Sequence, residues 1–254
     1  QGAAQEVLID FTPGLRAEAV KHVARFKLGP IFTPPVVSTW AGPLATLMLP
    51  NATGGANWQG GSLDPETGVL YIFSNTQVSA LGLVPGADRS DMAYVLGQAS
   101  NPENPKANPV PVTVQGLPLI KPPYGRITAI DLQRGELQWQ IAHGETPDNI
   151  RNHPLPNGLR IPRTGRQGRI GTVVTKSLVI AGEGGFFTLP DGRRGAMLRA
   201  YDKATGAEVG SVYMPAPQTG SPMTYMLNGR QHIVVAISGQ GFPGELLAFR
   251  LPES

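Results

Sequence analysis

The side chains able to carry chemistry are few and scattered. The chain has no cysteine, which excludes thiolate nucleophiles, disulfides and cysteine-ligated metal. Its four histidines, His22, His143, His153 and His232, do not pair at metal-ligand spacing, and each reads as a packed or solvated ring. Ser62, Ser74 and Ser238 lack a G-x-S-x-G context, so serine-hydrolase chemistry is unsupported. No G-x-G-x-x-G follows a strand-like run, and a Rossmann-bound dinucleotide is unsupported as well. Two polar clusters remain. Asp148, Asn149, Arg151 and His153 share one loop, suited to a substrate entrance or simply to solvent. Arg160, Arg163, Arg166 and Arg169 form a basic strip. Guanidinium groups bind carboxylates bidentately, so one of them suits an anionic ligand; the other reading is solvation or ion pairing between loops.

The elements that must position these groups are mostly short strands. Val69–Phe73, Arg126–Ile130, Leu137–Ile141, Thr172–Thr175, Ser177–Ala181, Met197–Tyr201, Pro222–Met226, His232–Ile237 and Leu246–Leu251 are brief apolar runs bounded by Gly, Pro, Asn or Asp. One helix is predicted over Leu15–Leu28. Thr12 caps it, Pro13 opens it and Gly29-Pro30 stops it, while Leu15, Ala19, Val23 and Phe26 recur at helical spacing. Residues 84–123 and 144–169 read as long loops.

Composition agrees with turn-dense β architecture. Gly 32 and Pro 25 are spread between apolar runs, and only 15% of residues are charged, against about 25% in an ordinary soluble domain. The net charge of +3 is dispersed, which argues against nucleic acid as a partner. No apolar run approaches the roughly 20 residues of a membrane-spanning helix.

An internal repeat organises the strands. Ala129–Trp139 follows the frame A-x-D-x-x-x-G-x-x-x-W, and Ala200–Gly210 repeats it with Gly210 in place of the tryptophan. Asp131 and Asp202 suit the closing of a tight turn, and Gly135 and Gly206 suit its positive φ. Together with Asp64 they are turn residues, not catalytic bases. Hairpins at Gly60–Ser74 and Gly171–Gly182 precede each copy, and Gly220–Gly239 begins a third round. About three rounds of four-stranded meander are predicted, the signature of propeller blades.

These residues resemble a known family. The Ala129–Trp139 frame is similar to the tryptophan-docking motif of eight-bladed quinoprotein dehydrogenases that use pyrroloquinoline quinone (PQQ). Gly54-Gly55-Ala56-Asn57-Trp58-Gln59-Gly60-Gly61 resembles that family's GG-x-N-W-GG segment. Pro122–Gly125, Pro222–Tyr225 and Asn228–Gln231 are similar as well, and the set looks like the C-terminal half of membrane glucose dehydrogenase-like enzymes. The resemblance implies an all-β fold: a partial β-propeller of about three to four four-stranded antiparallel blades, with one N-terminal surface helix. The whole chain would belong to one propeller domain, with helix and connecting segment over 1–50 and blades over 51–254.

The resemblance also implies a function: oxidation of a sugar or alcohol in the periplasm, with PQQ and Ca²⁺ as cofactors and a quinone or cytochrome c as electron acceptor. Asn57 and Trp58 match the family's cofactor-side segment. Gly239 and Gln240 match its glycine-rich stretch against PQQ, Gln240 standing where the glucose enzymes have His. The base and the Ca²⁺ ligands are expected in an N-terminal half, a separate or nicked partner chain, so no catalytic or metal residue is assigned here. Alone, the chain is expected to self-associate and to be inactive. The other function class is a non-catalytic periplasmic propeller serving as a binding or assembly scaffold; Asn57-Trp58 and Gly239–Gly241 distinguish the two, since a scaffold has no use for them.

Overall fold

The computed structural model describes residues 2–155, 159 and 161–250. Arg160 of the basic strip and Leu251 of the last expected strand lie outside the described residues. The chain divides into two compact units: residues 1–55, 76–122 and 153–161 form one, and residues 56–75, 123–152 and 162–254 form the other.

The first unit carries the helix α1, Pro13–Val23. Thr12 caps it as expected, its Oγ1 accepting the Leu15 N–H at 3.1 Å, and Leu15, Ala19 and Val23 are its buried residues. The helix ends five residues before the predicted Leu28. The reason is tertiary pairing: Lys27 N–H bonds Ala45 O, while Arg25 O and Lys27 O accept from Leu44 and Leu47. The backbone after Val23 is therefore committed to a neighbouring segment rather than to another helical turn. Around α1, the strand Ser79–Pro85 pairs in parallel with Val36–Val37 and antiparallel with Thr46–Met48 and Tyr94–Leu96. The stretch read as a loop over 84–123 thus holds several strand residues. His22 and His153 make bonds to Pro111 O and Gln115 O within this unit.

The second unit holds three antiparallel sheets. In the first, the spatial order is Gly61–Asp64, Val69–Asn75, Gly125–Asp131, Glu136–Ala142. In the second it is Val173–Val174, Leu178–Gly182, Arg194–Asp202, Glu208–Met214, with Phe187–Thr188 added beside Arg194–Asp202. The third is Met223–Leu227, Arg230–Gly239, Phe242–Arg250, three strands among the described residues where four were expected. Each is a meander, and side chains alternate between its two faces. Phe73, Ile127, Ala181 and Tyr201 fill the gap between the first and second sheets. Ile180, Leu198, Val235 and Ile237 fill that between the second and third. Successive meanders packed face to face are the arrangement of propeller blades.

The repeat frame is visible in the register. Ala129 pairs with Trp139 and Ala200 with Gly210, and in both copies the register shifts directly after the alanine. Asp131 Oδ1 accepts the N–H groups of Gln133 and Arg134, and Asp202 Oδ1 those of Ala204 and Thr205. Gly135 and Gly206 close the turns at φ 70 and 74. Trp139 is half-buried rather than fully buried. Its ring lies beside Tyr71, with centroids 5.6 Å apart, and its Nε1–H donates to Lys203 O at 3.1 Å.

Candidate functional site

At one end of the second unit's sheets, several connections meet. Asn57, Trp58 and Gln59 lead into the first sheet, Glu183–Phe186 leaves the second, Pro215–Pro222 runs to the third, and Gly239–Gly241 turns within it. Gln218, 2% exposed, fastens the crossing segment. Its Nε2 donates to Gly171 O at 2.8 Å and Gly220 O at 2.7 Å, and its Oε1 accepts from Gly182 N–H. On one flank of that segment, Ser221 Oγ donates to Gln59 O at 2.9 Å. On the other, Ser238 N–H donates to Pro217 O at 3.0 Å.

The four residues singled out by resemblance fall on these flanks. Asn57 is exposed, and its Oδ1 accepts the Trp58 N–H at 2.8 Å. Trp58 is 78% exposed. Gly239 is packed so closely that a Cβ there would stand 2.4 Å from the Phe186 ring, which explains the glycine. Gln240 is exposed. The segment Pro217–Ser221 thus touches both groups, through Gln59 beside Trp58 and through Ser238 beside Gly239.

Within the basic strip the structure separates the arginines. Arg163 is engaged in ion pairs with Glu145 and Glu208. Arg169 is exposed. Arg166 is the buried one, 7% exposed. Its guanidinium donates to Phe186 O and, at 3.4 Å, to Thr146 O, and it lies 5.3 Å from the centroid of the Phe187 ring. Its Nε is buried without a hydrogen-bond partner. Burial lowers its pKa, the cost of holding a cation out of water. The loop that carries it is pinned by Asn75, which exchanges two hydrogen bonds with the Gly168 backbone. Asp148 and Arg151 of the other cluster pair with each other on the helix α2, Asp148–Arg151, and bind Thr188. Among the described residues, no group of three His, Cys, Asp or Glu side chains is placed to hold a metal ion.

Sequence reasoning missed a buried polar network beside this end. Arg199, its side chain 4% exposed, binds Glu183 at 2.8 Å, Glu145 at 2.9 Å and Glu208 at 2.6 Å. Burial opposes charge on both Arg199 and Glu183. The surrounding carboxylates nevertheless hold Arg199 above its ordinary pKa, while burial pushes the Glu183 carboxyl up. His143 is fully buried in the same region. Its Nε2 lies 2.9 Å from Gly182 O, and its Nδ1 lies 2.8 Å from Tyr201 Oη. A carbonyl only accepts, so the proton sits on Nε2 and Nδ1 accepts from the tyrosine hydroxyl.

That geometry has a pH consequence. Burial pushes the His143 pKa from 6.5 down to about 4. An unfolded histidine binds a proton between those values and the folded one does not, so stability falls as pH drops through this window. The loss attributable to His143 is about 3 kcal/mol at 1.36 kcal/mol per unit. Comparing urea midpoints of the native chain and His143→Gln between pH 7 and pH 4 checks it. The native chain is expected to lose about that much more than the variant; parallel pH profiles refute the assignment.

Comparison with known proteins gives the same family that the motifs suggest. The family model described as "PQQ: Glucose/ethanol/alcohol dehydrogenase, beta-propeller domain" matches residues 1–233. The probable quinate dehydrogenase (quinone) of Xanthomonas campestris pv. juglandis is 30% identical over 239 residues, covering 85% of this chain and 28% of that protein. The glycerol dehydrogenase large subunit of Gluconobacter thailandicus is 29% identical, covering 88% of this chain and 31% of its own length. Quinoprotein glucose dehydrogenase of Escherichia coli (strain K12) is 27% identical, with 88% and 28% covered. The chain therefore spans under a third of the length of these relatives. With the family model matched over most of its length, the chain belongs to the β-propeller family of PQQ-dependent glucose, ethanol and alcohol dehydrogenases.

Proposed function

We propose that this chain contributes blades and one wall of the cofactor pocket to a PQQ-dependent dehydrogenase that oxidises a hydroxyl of a sugar or alcohol in the periplasm, with a quinone or cytochrome c as acceptor. It is the C-terminal portion of a single propeller domain, and the rest of that propeller, on the same or a separate chain, supplies the catalytic base and the Ca²⁺ ligands. The observation that carries the reading is Arg166. A buried guanidinium with an unpartnered Nε, held against Phe186, whose ring packs on Gly239, suits a cofactor bearing three carboxylates. PQQ supplies, when bound, a two-electron acceptor for the alcohol. The chain's own residues do the holding: Arg166 offers charge and Asn57 an amide, while Gly239 lets the Phe186 ring pack against the strand. Supporting the need for the rest of the ring, the outer faces of the end sheets expose Leu63 and Leu137 at one end and Met223 and Leu246 at the other.

The test is reconstitution with PQQ and Ca²⁺, with and without the remaining blades, read by PQQ-dependent dye reduction. Activity is expected only in the combined protein, and activity of this chain alone overturns the division of labour. In the combined protein, Asn57→Ala is expected to weaken PQQ binding about fivefold, the worth of one hydrogen bond of about 1 kcal/mol. Its melting temperature should not move, because the Asn57 side chain is exposed and bonds only its neighbour's N–H. Unchanged PQQ affinity sinks the assignment of Asn57.

A further inference from the structure

The two copies of the repeat frame put different things at the same place. Trp139 and Gly210 occupy equivalent positions, each paired with the frame alanine one step before the register shift. In the first gap between sheets, the indole of Trp139 fills the space and rests on Gly206, where a Cβ would come within 2.9 Å of the ring. In the second gap nothing replaces it. A Cβ at Gly210 would meet no atom within 4 Å. There the structure has a cavity of about 500 Å³, within the range of sites that take small molecules.

We propose that this gap is a binding site for a planar aromatic molecule of one or two fused rings. Its walls are apolar on both sides: Leu178, Ile180 and Leu198 from the second sheet, Ile233 and Phe249 from the third. The sheets cannot collapse onto the space, because Ala196, Met214, Val235 and Ile237 pack solidly further along the same gap. A flat ring therefore enters where the repeat elsewhere places an indole, and the residue that removes the indole is the one that opens the slot. Gln231 lines the cavity with its Nε2 donating to Thr224 Oγ1, and offers its amide oxygen to a ring N–H or O–H. It stands in for Lys203 O, which accepts from Trp139 in the filled gap. Arg250 at the margin favours neutral or anionic rings over cationic ones. The nearest cavity residue on the strand Arg230–Gly239, Ile233, is six positions from Gly239, about 20 Å at strand rise, so the cavity is separate from the site proposed for PQQ.

The experiment titrates the chain with indole, indole-3-acetate and tryptamine by isothermal calorimetry and ¹⁵N chemical shifts. Saturable binding of indole is expected with Kd on the order of 0.1–1 mM, with tryptamine weaker. Shifts should concentrate at Gly210, Gln231 and Ile233. Gly210→Trp should abolish binding and raise the melting temperature, since the backbone is open to a side chain and the ring fills existing space. Gly210→Leu, a smaller filling, should weaken binding at least fivefold if the tryptophan variant does not fold. Gly244→Trp, an exposed strand glycine with nothing within 4 Å of its Cβ and outside the cavity, should bind indole as the native chain does. No saturable binding by the native chain overturns the proposal. So does binding that persists at native affinity in the Gly210 variants, or that is lost in Gly244→Trp.

Discussion

An Arg199→Met variant is expected to lose about 3–5 kcal/mol of stability, among the largest effects of any single substitution in this chain. The reason is what it leaves behind. Glu183 has a fully buried side chain, and Arg199 Nε is its side-chain partner at 2.8 Å. Its other hydrogen-bond partners are the backbone N–H groups of Glu145 and, at 3.4 Å, Met197, and Arg166 is the other cation whose field reaches it. Methionine fills much of the arginine's volume, so packing loss is small and the cost is electrostatic: a carboxylate out of water without its counter-charge. Arg163 still neutralises part of Glu145 and Glu208 but makes no ion pair with Glu183. A second variant isolates the cause. Adding Glu183→Gln removes the stranded charge and keeps an oxygen for the Glu145 N–H, so the double variant should recover a large part of the loss. Urea denaturation at pH 7 reads both. If Arg199→Met costs under 1 kcal/mol, or the double variant is no better than the single one, the network is not what holds Glu183 in place.

This network marks the boundary of what the sequence discloses. The repeat frame was legible because its physics is local. Asp131 and Gly135, or Asp202 and Gly206, lie four residues apart and close one turn among themselves. The strand Glu208–Met214 was expected only as the return leg of the repeat frame and not from its own residues, since it is the exposed edge of its sheet and reads as polar, with Glu208, Gly210 and Ser211 in it. The helix was overrun at its C-terminal end because Lys27 pairs with Ala45, eighteen positions on. The network was invisible for the same reason: Arg199 gathers Glu145, Glu183 and Glu208 from separations of 54, 16 and 9 residues. No spacing rule links such positions. In the basic strip, composition alone treated Arg160, Arg163, Arg166 and Arg169 alike. Burial distinguishes Arg166, and burial depends on Phe186, Thr146 and Asn75, which the sequence does not place beside it.

Trp139→Ala is the second large expectation, a loss of about 3 kcal/mol. Truncation of buried Trp or Phe costs about 3–5 kcal/mol through lost transfer energy and the cavity left behind. The half-buried ring puts Trp139 at the lower end. The hydrogen bond contributes little to that figure. Lys203 O accepts both the Trp139 Nε1–H and the Tyr71 hydroxyl, each at 3.1 Å, so removing the indole does not strand the carbonyl. The loss is therefore packing against Tyr71, Val69, Ala129 and Val179, the contact that joins the first sheet to the second. Two comparisons separate this from any general effect of removing a tryptophan. Trp139→Phe keeps a ring in the gap and should restore more than half of the stability. Trp58→Ala removes a side chain that is 78% exposed and should change stability by less than about 0.5 kcal/mol. All three are read as shifts of the urea midpoint at constant slope, since the surface exposed on unfolding barely changes. A Trp139→Ala midpoint indistinguishable from that of Trp58→Ala means the docked indole is not what fastens one sheet to the next. The empty slot at Gly210 would then carry no energetic meaning in the repeat either.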